Sequence, residues 1–304
     1  MKKIFPLLIV IVIASFGITE HVSAQSSAAQ KALEGVKESV GTLVNAKDEN
    51  NPNEIAFRTE TFKKVIDFSI VELKDLRVKF LTAAGAQNAS STIGIWRDHI
   101  LSRMTEASEF YEQEKKNAAG ASKDINIEKI KTDAENFKKW REDNFSPLAE
   151  EVNDFLLVEQ QKNSLDTAEK RWEKIQNDIM KLKKVYSAKK MQELEKLLND
   201  AQKMNIAARD VYEGAQDLFY ETYIAPFETK VATTTVQFLV EEEVTLHASS
   251  TESNSKMSAD ENTSSTAQIP PPSIRGLIKD SLTNVKRTYQ IFIEMSGLVR
   301  KLLM

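Results

Sequence analysis

The sequence predicts an all-α protein: an elongated bundle of long antiparallel, coiled-coil-like helices with a tethered C-terminal amphipathic helix. Three observations carry this. Apolar residues recur at alternating steps of three and four almost everywhere after residue 27. The chain holds only 9 Gly and 7 Pro in 304 residues, below the roughly 7% and 5% of average usage that loop-rich folds exceed. Hydrophobic residues make up 41% and charged residues 28%, enough apolar material for a core in one or two domains.

Residues 1–24 read as a secretory signal. Lys2 and Lys3 form a basic start, Ile4 to Ile18 an apolar stretch, and Val22-Ser23-Ala24 a small-residue cleavage site. The stretch is short for a spanning helix, which needs about 20 residues. No Cys follows it, so no lipoprotein anchor is expected. With no cysteine anywhere, an exported chain has no disulfides and relies on apolar burial.

Residues 25–247 are the expected helical bundle. The first helix, about 27–46, shows Leu33, Val36, Val40 and Leu43. The polar run Asp48 to Asn53 with Pro52 ends it. The second, about 54–83, carries Phe62, Val65, Ser69, Leu73, Leu76 and Phe80 in the same rhythm. Gly85 and Asn88 mark a turn. The third, about 91–117, places Ile93, Trp96, Ile100, Met104, Ala107 and Tyr111 on one side.

Asp124 offers an N-cap for a fourth helix, about 125–144, with Ile127, Ile130, Ala134, Phe137 and Trp140 on its buried face. Ser146-Pro147 reads as a cap and first-turn proline, so Pro147 restarts or kinks the helix. Leu165, Ala168, Trp172, Ile175, Ile179, Leu182 and Tyr186 then step strictly 3-4-3-4. After a polar interruption at 187–190, a second run passes through Leu194, Leu197, Ala201, Met204, Ala208, Val211, Ala215, Leu218 and Thr222. Two such stripes suggest an antiparallel hairpin, and the lack of Gly or Pro near 188 leaves one continuous helix open. Pro226 bends or interrupts the helix, and the Thr/Val-rich remainder to His247 is read as helix from its apolar spacing.

Residues 248–272 are a Ser/Thr-rich, nearly apolar-free stretch ending in Pro270-Pro271-Pro272, expected as a disordered linker. Residues 273–304 are one basic amphipathic helix. Ile274, Leu277, Ile278, Val285, Phe292, Met295, Val299, Leu302 and Leu303 fall on one arc, and Arg275, Lys279, Lys286, Arg287, Arg300 and Lys301 on the other.

Charge follows these boundaries. Residues 25–247 hold 32 Lys+Arg against 39 Asp+Glu, a net of −7, while residues 273–304 hold 6 against 2, a net of +4. An acidic main body argues against a nucleic-acid partner. The basic helix has two readings. It folds back on the bundle or a second subunit, or it meets a protein partner or an anionic membrane surface. The interaction candidates are Arg275, Lys279, Lys286, Arg287, Phe292, Arg300 and Lys301, and a homo-oligomer is possible.

No constellation for catalysis, cofactor or metal stands out. His99 and His247 lack the Glu-x-x-His spacing of carboxylate-bridged bundles, since Trp96 and Val244 stand three residues before them. A zinc site needs more ligands than one histidine supplies. Glu243 and His247 share a helix face but read as a solvated end. Nucleophile elbows and phosphate loops are absent. Asn88 and Asn262 match the glycosylation acceptor pattern. Trp96, Trp140 and Trp172 occupy stripe positions and read as core. The alternative is an extracytoplasmic small-ligand-binding or sensor module with a Trp-lined pocket between helices.

The stretch Phe137-Lys-Lys-Trp140-Arg-Glu, Pro147, Phe155-Leu-Leu-Val158, Leu165-x-x-Ala168-Glu-Lys-Arg171 and Lys174-Ile-x-x-Asp-Ile179 resembles exported helical proteins of small-genome, candidate-phylum bacteria. It covers about 125–222. The resemblance implies a bacterial envelope or secreted setting and no activity. The function expected from the sequence is a non-enzymatic envelope scaffold that binds a partner or membrane surface through helix faces, in the periplasm, on the cell surface or outside the cell.

Overall fold

The computed structural model describes residues 26–48, 53–84, 92–120, 126–226 and 272–303, and every element among them is helical. Several expectations lie outside the described residues: the signal segment, Pro52, Gly85, both glycosylation patterns, Asp124, the Thr/Val-rich stretch to His247 and the linker up to residue 271. The helices are α1 (Ser27–Asp48), α2 (Glu54–Ala84), α3 (Thr92–Gly120), α4 (Ile127–Trp140), α5 (Ser146–Leu182), α6 (Ala188–Phe219) and α7 (Ile274–Leu303). Two compact units, residues 1–156 and 157–304, divide within α5.

In the first unit α2 packs against α1, α3 and α4. Its sequence suits this central place, because Val65, Ile66, Phe68, Ser69 and Ile70 are all buried and so use more than one face. On α1 the buried residues Ala29, Val36 and Leu43 lie seven apart. On α3 the stripe from Trp96 to Tyr111 is buried as expected, but Ile93 stays 38% exposed. It sits in the first turn, ahead of the point where Trp96 meets Phe80 with ring centroids 5.6 Å apart.

Two polar groups are drawn into this unit and each is satisfied. Trp96 Nε1 donates to Glu151 Oε1 at 2.6 Å, and Arg103 Nη1 donates to Glu151 Oε2 at 2.8 Å. Arg141 Nη1 donates to the Tyr111 hydroxyl at 3.0 Å, and its Nη2 donates to Glu72 Oε2 at 2.8 Å. The guanidinium also sits 4.7 Å from the Phe145 ring centroid. Burial raises the Tyr111 hydroxyl far above its ordinary range; Arg141 opposes this and Glu72 adds to it.

The helix start after residue 125 is capped by Asn126, whose Oδ1 accepts from Lys129 N–H at 2.8 Å; that carboxamide, not Asp124, does the capping. Ser146-Pro147 is no cap either. Ser146 has helical angles (φ −61, ψ −45) and its N–H bonds Arg141 O, five residues back, through a π-helical turn at Arg141–Phe145. The same device recurs at Tyr220–Ile224, where Ala225 N–H bonds Tyr220 O. Each π-turn ends two residues before a proline, Pro147 or Pro226. Proline has no N–H and its ring crowds the carbonyl four back. The widened turn moves the neighbouring bond to another carbonyl, so the helix continues where a break was one expectation.

The second unit holds the C-terminal part of α5, α6 and α7. Lys183–Ser187 form the turn between α5 and α6, slightly before the expected interruption, which settles the hairpin against a continuous helix. Contacts then run in opposite senses along the two helices: Lys183 with Glu195, Trp172 Nε1 with Leu198 O at 3.3 Å, and Glu169 with Arg209. Helix α7 lies along α6. Phe292 and Met295 share a core cluster with Met191, Leu194, Leu198 and Ile179, and Ser281 Oγ donates to Ala208 O at 2.7 Å.

The buried line of α6 differs from the expected one. It runs Met191, Leu194, Leu198, Ala201, Ala208, Tyr212, Ala215 and Phe219, so Leu198, Tyr212 and Phe219 replace Leu197, Val211 and Leu218, which flank it half-buried. Asn205 holds the place one heptad before Tyr212, and its Oδ1 is buried. On α7 the buried line is Ile274, Ile278, Ser281, Val285, Thr288, Phe292 and Met295, again stepping four and three. Ser281 and Thr288 are fully covered, whereas Leu303, expected on the apolar arc, is 65% exposed.

Candidate functional site

Because the line from Ile274 to Met295 faces inward, the opposite side of α7 is fixed by the heptad count. Lys279, Lys286, Ile293 and Arg300 lie seven residues apart on one outward line. Over 21 residues this line spans about 31 Å at the 1.5 Å helical rise. Asp280, Arg287, Glu294 and Lys301 form the neighbouring line, alternating in sign. Lys279, Lys286, Arg287, Arg300 and Lys301 are all exposed, and Arg275 is half-buried. Ile293, 72% exposed, protrudes among the cations. The structure therefore gathers the expected basic residues on one outer face. It separates Phe292 from them, because that ring is only 8% exposed and packs in the core cluster of α6.

Sequence reasoning missed the polar seam beneath this face. Gln161 Nε2 on α5 donates to Ser281 Oγ at 2.8 Å, and the same hydroxyl donates to Ala208 O. Gln161 and Ser281 are both buried. The Tyr212 hydroxyl is buried nearby in the α6 line without a hydrogen-bond partner among the described residues. Desolvation pushes it up to about 12, with Glu159 and Asp166 adding to the rise and Arg209 opposing it.

A second concavity lies in the first unit, a cleft of about 700 Å³ between α2, α3 and α4. Phe62, Phe110, Phe137 and Trp140 supply its aromatic wall. Phe110 and Trp140 stack at 3.8 Å with planes 13° apart, and Phe62 meets Phe137 edge-on at 5.7 Å. Of the three tryptophans, only Trp140 lines this cleft. Trp96 is in the core and half-buried Trp172 bonds the α6 backbone. Phe110 was not read from the sequence, because it lies beside Tyr111 and off the α3 stripe.

His99 is exposed on α3. Among the described residues no group of three or more His, Asp or Glu side chains could hold a metal ion, and no helix is long and apolar enough to cross a membrane. No protein-family model, no curated protein and no solved structure matches this chain.

Proposed function

We propose that this chain is an exported, non-enzymatic helical scaffold of the bacterial cell envelope, which meets an anionic partner through the cationic outer face of α7. In this reading the helices of each unit form antiparallel, coiled-coil-like bundles, and the signal-like start and the resemblance over 125–222 supply the setting. One observation carries the function: α7 turns its heptad line inward and leaves Lys279, Lys286, Arg287, Arg300 and Lys301 outside.

Magnitudes favour this division. Each buried Ile, Val, Phe or Met contributes about 1.5–3 kcal/mol, whereas an exposed ion pair contributes about 0–1 kcal/mol. Apolar contact therefore holds α7 on α6, and the cations are left for something else. Insertion of the apolar arc into a membrane would require α7 to leave α6 first, so an acidic protein or polymer surface is the better partner.

Retention of the full chain on immobilised poly-glutamate tests this. The expected result is retention near 0.05 M salt and release by about 0.3 M, as the Debye length shrinks. The triple change Lys279→Glu, Lys286→Glu, Arg287→Glu should abolish retention without changing helicity. Equal retention of the triple variant would overturn the reading.

A further inference from the structure

The geometry points to a second, independent binding site: the aromatic cleft of the first unit takes a neutral saccharide. At about 700 Å³ the cleft falls within the roughly 300–1,000 Å³ of small-molecule sites, which pair apolar walls with a few polar groups. The wall is aromatic and the rim is polar, and each feature narrows the ligand.

The wall excludes a clamp for a flat heterocycle. Holding a ring between two parallel plates needs a gap of about 7–8 Å, two carbon contacts deep. The parallel pairs here are already closed, Phe110–Trp140 at 3.8 Å and Phe110–Phe137 at 5.9 Å. A ligand must instead rest against one side of the wall. A pyranose does this with its C–H face and turns its hydroxyls to the edge.

The rim meets such an edge. Glu114 and Asp133 offer acceptors and Lys116 and Lys129 offer donors, two charges of each sign. Their balance disfavours an anion or a cation. Asn136 supplies both a donor and an acceptor. Among the described residues, the side chains of Lys116, Lys129, Asp133 and Asn136 make no hydrogen bond or ion pair with the rest of the chain. Their polar groups remain available to hydroxyls that are both donors and acceptors.

The test is saturation-transfer NMR of the full chain with maltose, cellobiose and N,N′-diacetylchitobiose, beside co-sedimentation with insoluble cellulose and chitin. At least one probe should bind saturably, with an affinity unchanged by salt. Asp133→Ala/Asn136→Ala should weaken it about ten-fold or more while leaving the melting temperature unchanged, since both are rim side chains. Binding to the insoluble polymers alone would assign the site to a polysaccharide rather than a free sugar. The proposal is overturned if no saccharide binds, if the rim variant binds as well as the parent, or if only an apolar dye such as 1-anilinonaphthalene-8-sulfonate enters the cleft.

Discussion

Tyr212 shows how a single side chain departs from its stripe. Its ring belongs to the buried line of α6, yet its hydroxyl has no partner among the described residues. Removing that hydroxyl removes an unsatisfied group rather than a bond. Tyr212→Phe is therefore expected to be neutral or to stabilise by up to about 1 kcal/mol at pH 7. The sign changes with pH. The folded hydroxyl holds its proton to about 12, while the unfolded one releases it near 10. Stability is intact below pH 10 and falls between 10 and 12, by at most about 3 kcal/mol. Urea midpoints at both ends of that window should show the parent losing this amount and the variant keeping it. Glu151 is the opposite case, because it holds both Trp96 and Arg103. Glu151→Ala should cost about 3 kcal/mol by leaving two donors unpaired, and a denaturation loss below 1 kcal/mol would contradict the bonding described. Neither role was legible in the sequence. The Glu150-Glu151 pair reads as a solvated face, and only the placement of Trp96 draws one of the two inward.

At the scale of the element, heptad rhythm was read well and its phase less well. On α5 the stripe from Leu165 to Tyr186 is observed, with Leu165, Ala168 and Ile179 buried and Trp172, Ile175, Leu182 and Tyr186 packed around the core. On α6 the choice between Leu197 and Leu198 could not be made locally, and Asn205 hid the true line by being polar. Ser281 and Thr288 hid the α7 line in the same way. The seam they mark is testable. Ser281→Ala should strand the buried Gln161 amide and cost about 1–3 kcal/mol, whereas adding Gln161→Leu should recover most of it, because an apolar pair leaves nothing unpaired. A double-mutant cycle in urea reads the coupling, and additive losses would dissolve the seam. The proline-linked π-turns were legible only as a choice between restart and kink. Sequence marks the missing N–H but not the bond that replaces it.

For the whole molecule, the all-helical class followed from composition and spacing. The docking of α7 did not, because an amphipathic helix looks the same whether its partner is α6 or a membrane. Charge alone suggested attraction between a −7 body and a +4 helix. The structure assigns the attachment to apolar contact, so raising salt to about 1 M, where screening reaches about 3 Å, should not release α7 to protease. The central claim is that α7 is packed on α6 in the isolated chain, its cations facing outward. Hydrogen–deuterium exchange of the full-length protein tests this most directly. Amides of residues 278–295 should be protected to the level of residues 191–215 on α6. Exchange of that segment within seconds, as from a free helix of 30 residues, would contradict the account.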